Sequence, residues 1–411
     1  MKLAVKIAIR YLFAKKSQNI INIISWISVT GVLVGSLGLL VVLSVFNGLH
    51  GLIGTLYSSF DPELKITPVT GKVLYTDSLD YTKLASLKGV ETVMQVVEDP
   101  VLFRFGKRQV PGLVMGVDSL FHQVSAIDSI IIEGRFRLQH GNMYEGVVGF
   151  ALADQLALRL NFVTPLVIYA PRRTGQINLM RPDQAFRSAY VQPSGVFMVN
   201  QMDYDASLVI THIDKVRELL GYESTEASWL GLKVADGADP GEVRKLVQKL
   251  LGSNYRVLNR EEQHSTFFRM MKVEKLMAYL ILSFILLIAI FNVIGTLTML
   301  IFEKKSSIST LRSMGADRLL INRIFLFEGW LISLAGLFGG LLLGSLLIWA
   351  QQTFGIVRFG GEGNFVVDAY PVALRAADAV LVFVTVSLTG LVAAWYPVRV
   401  IVRRYYGELH S

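Results

Sequence analysis

The sequence predicts an α-helical membrane protein with four transmembrane helices and a large α+β extracytoplasmic domain inserted between helices 1 and 2. The first observation behind this class is a set of four long apolar segments. A helix rises about 1.5 Å per residue, so roughly 20 apolar residues cross the hydrocarbon core of a bilayer. The segments cover approximately residues 20–45, 277–302, 331–349 and 376–394. The second observation is the long, mostly polar stretch between the first two segments, which is large enough to build its own core without any cysteine.

Each segment is expected to be helical, because backbone N–H and C=O groups in lipid must be paired within the segment. A cleaved signal peptide is the alternative for the first segment, since basic residues precede it. Its apolar part is, however, about twice as long as a signal peptide requires, and no small-residue cleavage site follows. We therefore expect the first segment to be retained as a helix.

The distribution of basic residues predicts the orientation, because Lys and Arg near helix ends stay on the cytoplasmic side. The tail before the first segment has no acidic residue and five basic ones, Lys2, Lys6, Arg10, Lys15 and Lys16. Further basic residues lie between the second and third segments and after the fourth. These three regions are predicted to be cytoplasmic, and residues 46–273 and 351–375 to lie outside. The net charge of +8 then reflects topology and requires no nucleic-acid partner.

The chain is predicted to have three parts. Residues 1–47 form an N-terminal cytoplasmic amphipathic segment and the first helix, and residues 48–272 form a periplasmic α+β domain. Residues 273–411 contain the second helix, a cytoplasmic coupling helix, the third helix, a short periplasmic loop, the fourth helix and a cytoplasmic tail. Within the periplasmic domain, residues 48–109 and 223–272 are expected to form a split membrane-proximal part, and residues 110–222 a β-rich insertion.

Hydrophobic periodicity and turn residues predict the elements of this domain. Near its start we expect strands at 64–68 and 72–75, a helix at 81–87 and a strand at 90–97. Near its end we expect a strand at 229–234, a helix from Pro240 to residue 251 with Asp239 as N-cap, and a strand at 255–258. The insertion is expected to contain a helix at 151–160 and strands at 165–170, 195–200 and 206–211.

The sequence contains none of the common catalytic motifs. There is no Gly-Lys-Ser or Gly-Lys-Thr of a phosphate-binding P-loop, no G-x-S-x-G and no H-E-x-x-H. The absence of cysteine excludes a thiol nucleophile and Cys-ligated metal sites, and the six histidines are scattered without ligand spacing. We therefore expect no enzymatic activity, no catalytic residue, no metal site and no cofactor in this chain.

The predicted spans contain amides and hydroxyls, and this argues against an ion or proton path through them. Glu328, just before the third span, is the exception; a proton site is one interpretation, and an interfacial contact to Arg323 or to the backbone is the one we favour. Small residues in the first and third spans predict close helix packing. They are Gly31, Gly35 and Gly38, and Gly336, Gly339, Gly340 and Gly344.

A short helix is predicted between the second and third spans. Ile308, Leu311 and Met314 recur at a spacing of three residues, basic residues lie beside them, and Gly315 ends the pattern. Such a helix could dock in a groove of a cytoplasmic partner or lie on the lipid surface.

These residues resemble a known family. N-V-I-G-T-L at 292–297 followed by E-K-K-S-S-I-S-T-L-R-S-M-G-A at 303–316 is similar to the second span and coupling helix of MacB/FtsX-type ABC transporter permeases. The layout of one span, a large external domain and three further spans is also theirs. G-V-L-V-G-S-L-G-L-L-V-V-L-S-V-F-N-G-L at 31–49, M-D-Y-D-A-S-L-V-I at 202–210 and D-A-Y-P-V at 368–372 are most similar to the lipoprotein-releasing (Lol-type) permease subunits.

The resemblance implies a mechanism in which chemistry occurs elsewhere. A separate cytoplasmic ABC ATPase dimer, which holds ATP and Mg, would dock on the coupling helix, and a second permease subunit, identical or related, would complete the complex in the bacterial inner membrane. The implied ATPase-coupling residues are Glu303, Lys304, Lys305, Ile308, Leu311, Arg312, Met314, Gly315 and Ala316. The chain has Ser306 and Ser307 where relatives usually carry an acid.

The resemblance also implies a lipoprotein substrate, an apolar cavity open to membrane lipid, and a periplasmic lipoprotein chaperone that receives the substrate. Apolar residues near the outer ends of the first two spans are the cavity candidates: Val42, Phe46, Leu49, Met277, Leu280, Ile281 and Phe284. Contacts with lipid or between helices are the alternative for each. The loop at 171–182 is the candidate chaperone contact, through Arg172, Arg173, Gln176, Arg181 and Pro182; a flexible loop is its alternative.

Two other functions remain open at this point. One is a MacB-like exporter that drives substrate through an outer-membrane partner. The other is FtsX-like transmembrane signalling, in which the external domain grips a cell-wall hydrolase and nothing is transported.

Overall fold

The computed structural model describes residues 19–58, 60–79, 81–160, 164–173, 185–358 and 369–407. The chain divides into two compact units. The helical unit comprises Met1–Gly51 and Arg269–Ser411, and the sheet unit comprises Leu52–Phe268.

The helices and the strands of the described residues are numbered separately in chain order. The helices are α1 (Asn19–Ser58), α2 (Tyr81–Ala85), α3 (Phe121–Val124), α4 (Ile127–Ile130), α5 (Phe150–Leu156), α6 (Met202–Asp205), α7 (Ile213–Leu220), α8 (Pro240–Leu251), α9 (Arg260–Gln263), α10 (Ser265–Glu303), α11 (Lys305–Ser313), α12 (Arg318–Phe354) and α13 (Ala376–Gly407). The strands are β1 (Leu64–Pro68), β2 (Leu74–Tyr75), β3 (Val90–Phe105), β4 (Arg108–Val117), β5 (Ile131–Gly134), β6 (Gln139–His140), β7 (Met143–Gly149), β8 (Leu166–Pro171), β9 (Phe186–Phe197), β10 (Leu208–His212), β11 (Glu226–Ala227), β12 (Trp229–Val234) and β13 (Tyr255–Asn259).

Four helices, α1, α10, α12 and α13, are long and apolar enough to cross a membrane. This confirms the four predicted transmembrane helices and the position of a large domain between the first and second. The helices extend beyond the predicted apolar segments because polar residues continue each helix past the apolar stretch. For example, α12 begins at Arg318, where Asp317 accepts a hydrogen bond from the Leu320 amide, well before the predicted span at 331.

Close contacts between α1 and α12 depend on glycine. A Cβ at Gly336 would lie 2.7 Å from the Val32 Cβ, and one at Gly340 would lie 2.6 Å from the Leu33 carbonyl oxygen. The two backbones therefore approach one another at the small residues of the third span. Around this contact, buried apolar residues of all four long helices form one core, which includes Leu39, Leu286 and Val386.

The sheet unit is built on an 11-stranded sheet. Its main order is β13-β1-β12-β3-β4-β10-β7-β9-β5, and β8 pairs with both β3 and β9. Most neighbours are antiparallel, but β10 is parallel to β4 and β7 is parallel to β9. The domain therefore mixes helices and strands as predicted, with a mixed sheet that hydrophobic alternation alone does not distinguish from an antiparallel one.

The strands at the two ends of the sheet unit pair with one another. β1 lies between β12 and β13, and Leu64 of β1 pairs with Leu232 of β12 and with Asn259 of β13. Helix α8 begins at Pro240, and the Asp239 side chain accepts a hydrogen bond from the Gly241 amide. Strand β3 is longer than the predicted 90–97. Glu98, Asp99 and Pro100 interrupt the apolar alternation, yet Pro100 pairs with Leu113 and the strand continues to Phe105.

Candidate functional site

The short helix α11 covers the predicted coupling segment. It runs from Lys305 to Ser313, and Gly315 follows with a φ of +86°, a conformation that favours glycine. The Ala316 amide donates to the Leu311 carbonyl at 3.0 Å and closes the end of the helix. Glu303 ends α10, and Lys304 forms the turn before α11, where its amide donates to the Leu300 carbonyl.

The apolar stripe on α11 has two different environments. Ile308 packs against a small core formed by Ile301, Ile321, Phe325 and Val398. Leu311 and Arg312 are half-buried, whereas Met314 is 78% exposed. Lys305 is also exposed, and Ala316 is half-buried. One end of the stripe therefore fixes α11 to its own unit, and the other end is available to a partner.

The candidate cavity residues of the second span share one exposed face of α10. Met277, Leu280, Ile281 and Phe284 recur at three- and four-residue spacing, and each is more than half exposed. The same apolar face continues to Ile288 and Phe291. The structure thus places these four side chains together on a surface that nothing within the helical unit covers among the described residues.

The candidate cavity residues of the first span are less accessible. Val42, Phe46 and Leu49 are all half-buried on α1, between fully or nearly fully buried neighbours such as Leu43 and Asn47. They do not form an exposed face comparable to that of α10.

A groove of about 480 Å³ does lie between α1 and α10, but none of the candidate cavity residues lines it. Its walls include Gly31, Val34, Gly35, Leu282 and Ile285. The sequence predicted close packing at Gly31 and Gly35, and a Cβ at Gly35 would lie 2.7 Å from the Leu286 Cδ1, so α10 packs closely against α1 beside this groove.

The candidate chaperone loop is described only at its start. Arg172 and Arg173 follow β8, and the Arg172 amide donates to the Ala185 carbonyl at 2.9 Å. The Arg173 guanidinium lies over the Tyr222 ring, 4.0 Å from its centroid, and 3.7 Å from the Glu226 carboxylate. Gln176, Arg181 and Pro182 lie outside the described residues.

Sequence reasoning missed a charged cluster that joins three of the long helices. Lys275 on α10 donates from Nζ to the Asn47 Oδ1 on α1 and to the Asp378 Oδ1 on α13, each at 2.9 Å. Asn47 in turn donates from Nδ2 to the Asp378 Oδ2 at 2.5 Å and to the Ala373 carbonyl. Asn47 and Asp378 are only 3% and 6% exposed. We call Asn47, Lys275 and Asp378 the three-helix polar cluster.

This cluster corrects the expectation that the spans carry no charge apart from Glu328, since Asp378 lies inside the fourth predicted span. A buried carboxylate is tolerated there because an ammonium and an amide satisfy both of its oxygens. Glu328, for which an interfacial contact to Arg323 or to the backbone was expected, is fully buried, whereas Arg323 is exposed.

A second cluster lies in the sheet unit and gives a structural role to the 202–210 motif. The Tyr204 hydroxyl donates to the Asp61 Oδ1 at 2.7 Å, and the His264 Nε2 lies 2.6 Å from the other oxygen of the same carboxylate. The Tyr57 ring stacks on the His264 ring, with their centroids 3.7 Å apart. Burial, and then the nearby Asp61 carboxylate, raise the pKa of Tyr204, so this hydroxyl remains a donor. The cluster links the motif to the residues that follow α1 and precede α10.

Comparison with known proteins finds relatives that extend over nearly the whole chain. Residues 279–405 match the FtsX-like permease C-terminal family. The chain is 26% identical to the lipoprotein-releasing system transmembrane protein LolC of Neisseria meningitidis serogroup B over 409 residues, which are 96% of this chain and 95% of that protein. It is 22% identical to LolC of Buchnera aphidicola over 96% of each chain, and 24% identical to LolE of Haemophilus influenzae over 94% of each.

Two solved structures were also similar in part. The periplasmic region of MacB from Actinobacillus actinomycetemcomitans aligns with a TM-score of 0.36 and 10% identity, over 54% of this chain and 97% of that one. The extracellular domain of the transporter YknZ from Gram-positive bacteria aligns with a TM-score of 0.32 and 14% identity, over 48% and 99%.

Residues 279–405 match the FtsX-like permease C-terminal family, so the predicted resemblance to MacB/FtsX-type permeases is confirmed. Relatives that extend over nearly the whole chain include LolC and LolE, so the predicted similarity to lipoprotein-releasing permease subunits is confirmed as well.

Proposed function

We propose that this chain is the permease subunit of an ABC transporter that extracts lipoproteins from the inner membrane and releases them to a periplasmic chaperone. The observation that carries the proposal is the exposed apolar face of α10 around Phe284, in a chain whose near-full-length relatives are lipoprotein-releasing permeases. In this role the face would contact the acyl chains of the lipoprotein, together with α1.

The physical requirement is a surface that replaces lipid around the acyl chains. Each CH₂ moved from an apolar environment into water costs roughly 0.8 kcal/mol, so an apolar surface must hold the chains until the chaperone receives them. The extraction is uphill and requires nucleotide hydrolysis, yet the sequence has no P-loop. A separate ATPase dimer therefore drives the cycle, and it docks on α11 through the exposed end of its stripe at Met314.

The complex also contains a second permease subunit. The face formed by Met277, Leu280, Ile281 and Phe284 would line a cavity between the two subunits that opens to the outer leaflet. The sheet unit lies in the periplasm, since the basic flanks of the spans place both termini and α11 in the cytoplasm. In this proposal the loop that begins at Arg172 contacts the chaperone, as the resemblance to lipoprotein-releasing permeases implies.

Depletion of the protein in its own cell tests the proposal. Lipoproteins should accumulate in the inner membrane, as measured by membrane fractionation, and re-expression of the wild-type chain should restore their sorting. Secreted proteins without a lipid anchor serve as the control and should be sorted normally. Normal lipoprotein sorting in depleted cells would refute the proposal and would favour export or signalling to a cell-wall hydrolase.

A further inference from the structure

A pocket with a basic rim lies between α12 and α13, near α11. Its volume is about 290 Å³, and Arg323 of α12 and Arg399 of α13 both line it. The position near α11 follows from Val398, which lines the pocket and also belongs to the small core that holds Ile308. This pocket is separate from the exposed face of α10 that the proposed function uses.

The two arginines face the pocket without a carboxylate partner among the described residues. Both are exposed, and none of the described residues that line the pocket is acidic. The Arg399 guanidinium lies over the Trp395 ring, 4.8 Å from its centroid, and Trp395 itself is half exposed in the pocket wall. The pocket therefore holds two positive charges that are not neutralised within the described part of the chain.

The remaining walls are largely apolar. Leu319, Leu326 and Val398 line the pocket beside the arginines, and the Asn322 amide is its other polar group. A free anion in water needs no such apolar walls, whereas a lipid presents a phosphate and apolar chains together. Tryptophan at the edge of a span is typical of the headgroup level of a membrane.

We propose that this pocket binds the headgroup phosphate of an anionic phospholipid from the cytoplasmic leaflet. Guanidinium groups match phosphate oxygens with paired hydrogen bonds, and basic pockets between spans on the cytoplasmic side suit anionic headgroups. The apolar walls then contact the glycerol and the first part of the acyl chains. The site goes beyond the proposed function, because the lipid is bound as a fixed part of the permease rather than as its transported substrate.

Trp395 provides the signal for the test. The full-length protein is reconstituted into phosphatidylcholine vesicles that contain increasing fractions of brominated phosphatidylglycerol or, separately, brominated phosphatidylcholine. Bromine quenches adjacent tryptophan, and the variant Trp395→Phe identifies the part of the signal that comes from this pocket. We expect Trp395 to be quenched at lower fractions of the brominated anionic lipid than of the brominated neutral lipid.

Variants of the two arginines test whether the preference for anionic over neutral lipid arises at this pocket. Each guanidinium that lines the pocket should contribute about fivefold to the preference for the anionic lipid, so Arg323→Gln and Arg399→Gln should each reduce this preference by about fivefold. The double variant should reduce it further than either single variant, although not as the product of the two effects, because both groups bind the same phosphate. The matched control is Arg318→Gln, which changes the same residue type on α12 outside the pocket lining and should retain the preference. If the double variant does not assemble, the single variants decide.

Three results would overturn the proposal. The first is equal quenching by the two brominated lipids in the wild-type protein, and the second is an unchanged preference in the arginine variants. The third is relief of quenching by inorganic phosphate at constant ionic strength, which would assign the pocket to a free anion. Loss of the ATPase partner from the arginine variants, without any lipid preference in the wild type, would identify the pocket as a protein contact instead.

Discussion

Lys275 supports a buried charge that the helical unit otherwise could not hold. Without its ammonium, Asp378, which is only 6% exposed, would keep one side-chain partner among the described residues, the Asn47 amide. Breaking a buried ion pair on one side is more costly than removing both partners, because one charge remains without compensation. The three-helix polar cluster therefore stabilises the packing of α1, α10 and α13 against one another.

We predict that Lys275→Met destabilises the protein by about 2 kcal/mol, less than for a fully buried pair because Lys275 is partly exposed. The double variant Lys275→Met with Asp378→Asn should recover part of this loss. Thermal unfolding in detergent measures the stability of the single and the double variant. Lys272→Met is the matched control, since Lys272 lies exposed on the same helix and should change stability little. Equal melting temperatures for the Lys275 and Lys272 variants would contradict the argument.

Helix α11 combines an anchor and a contact surface within three turns. Ile308 packs against the ends of α10, α12 and α13, whereas Met314 projects from the last turn. A force applied at Met314 by a docked partner would pass through Ile308 into the long helices. The sequence predicted the stripe but not this division, because periodicity does not show which end is covered.

We predict that Ile308→Ala lowers stability by about 1 kcal/mol, because a half-buried side chain loses its packing. Met314→Ala should leave stability unchanged and weaken binding of the ATPase by about tenfold, if Met314 is buried in that interface. Thermal unfolding and co-purification with the ATPase separate the two effects. The opposite assignment, with Met314→Ala destabilising and Ile308→Ala weakening docking alone, would contradict this division of α11.

Gly340 shows how little space separates α1 from α12. An added methyl group would lie 1.9 Å from the Ser36 hydroxyl, which can rotate away, and 2.6 Å from the Leu33 carbonyl oxygen, which cannot. We predict that Gly340→Ala costs about 2 kcal/mol through this overpacking. Gly295→Ala on α10 is the control, because an added methyl there meets nothing within 4 Å. Thermal unfolding compares them; similar losses would assign the effect to backbone flexibility rather than to helix contact.

The sequence predicted the elements well and their partners poorly, for a physical reason. Apolar length predicted the four spans, and Asp239 with Pro240 predicted the start of α8, since these signals are local. The ion pair between Lys275 and Asp378 joins residues 103 positions apart, so no local pattern indicates it. The resemblance selected the four candidate residues on the exposed face of α10, whereas periodicity alone could not have selected them, because apolar residues occur all round the long helices.

The packing of the helical unit leaves an apolar face of α10 open, and this bears on how the complete complex works. The buried core joins all four long helices, yet the side of α10 around Phe284 remains 64% exposed at that residue. Exposed apolar residues also lie on α12, as at Phe338, which is 58% exposed. Exposure alone therefore does not distinguish a face that meets lipid from one that meets the substrate.

The proposed function makes the two faces different. We predict that a photo-crosslinking amino acid at Phe284 captures lipoprotein during release, because in the proposed function this face lines the cavity between two permease subunits. The same amino acid at Phe338 should capture only lipid. Phe338 is a suitable control because it has similar exposure and lies at a similar distance along its helix from α11. The crosslinks are identified by immunoblotting for a lipoprotein, with and without ATP. If ATP drives release as proposed, the Phe284 crosslink to lipoprotein should decline when ATP is added. A lipoprotein crosslink at neither position, or at both positions, would show that this face of α10 does not form the substrate path.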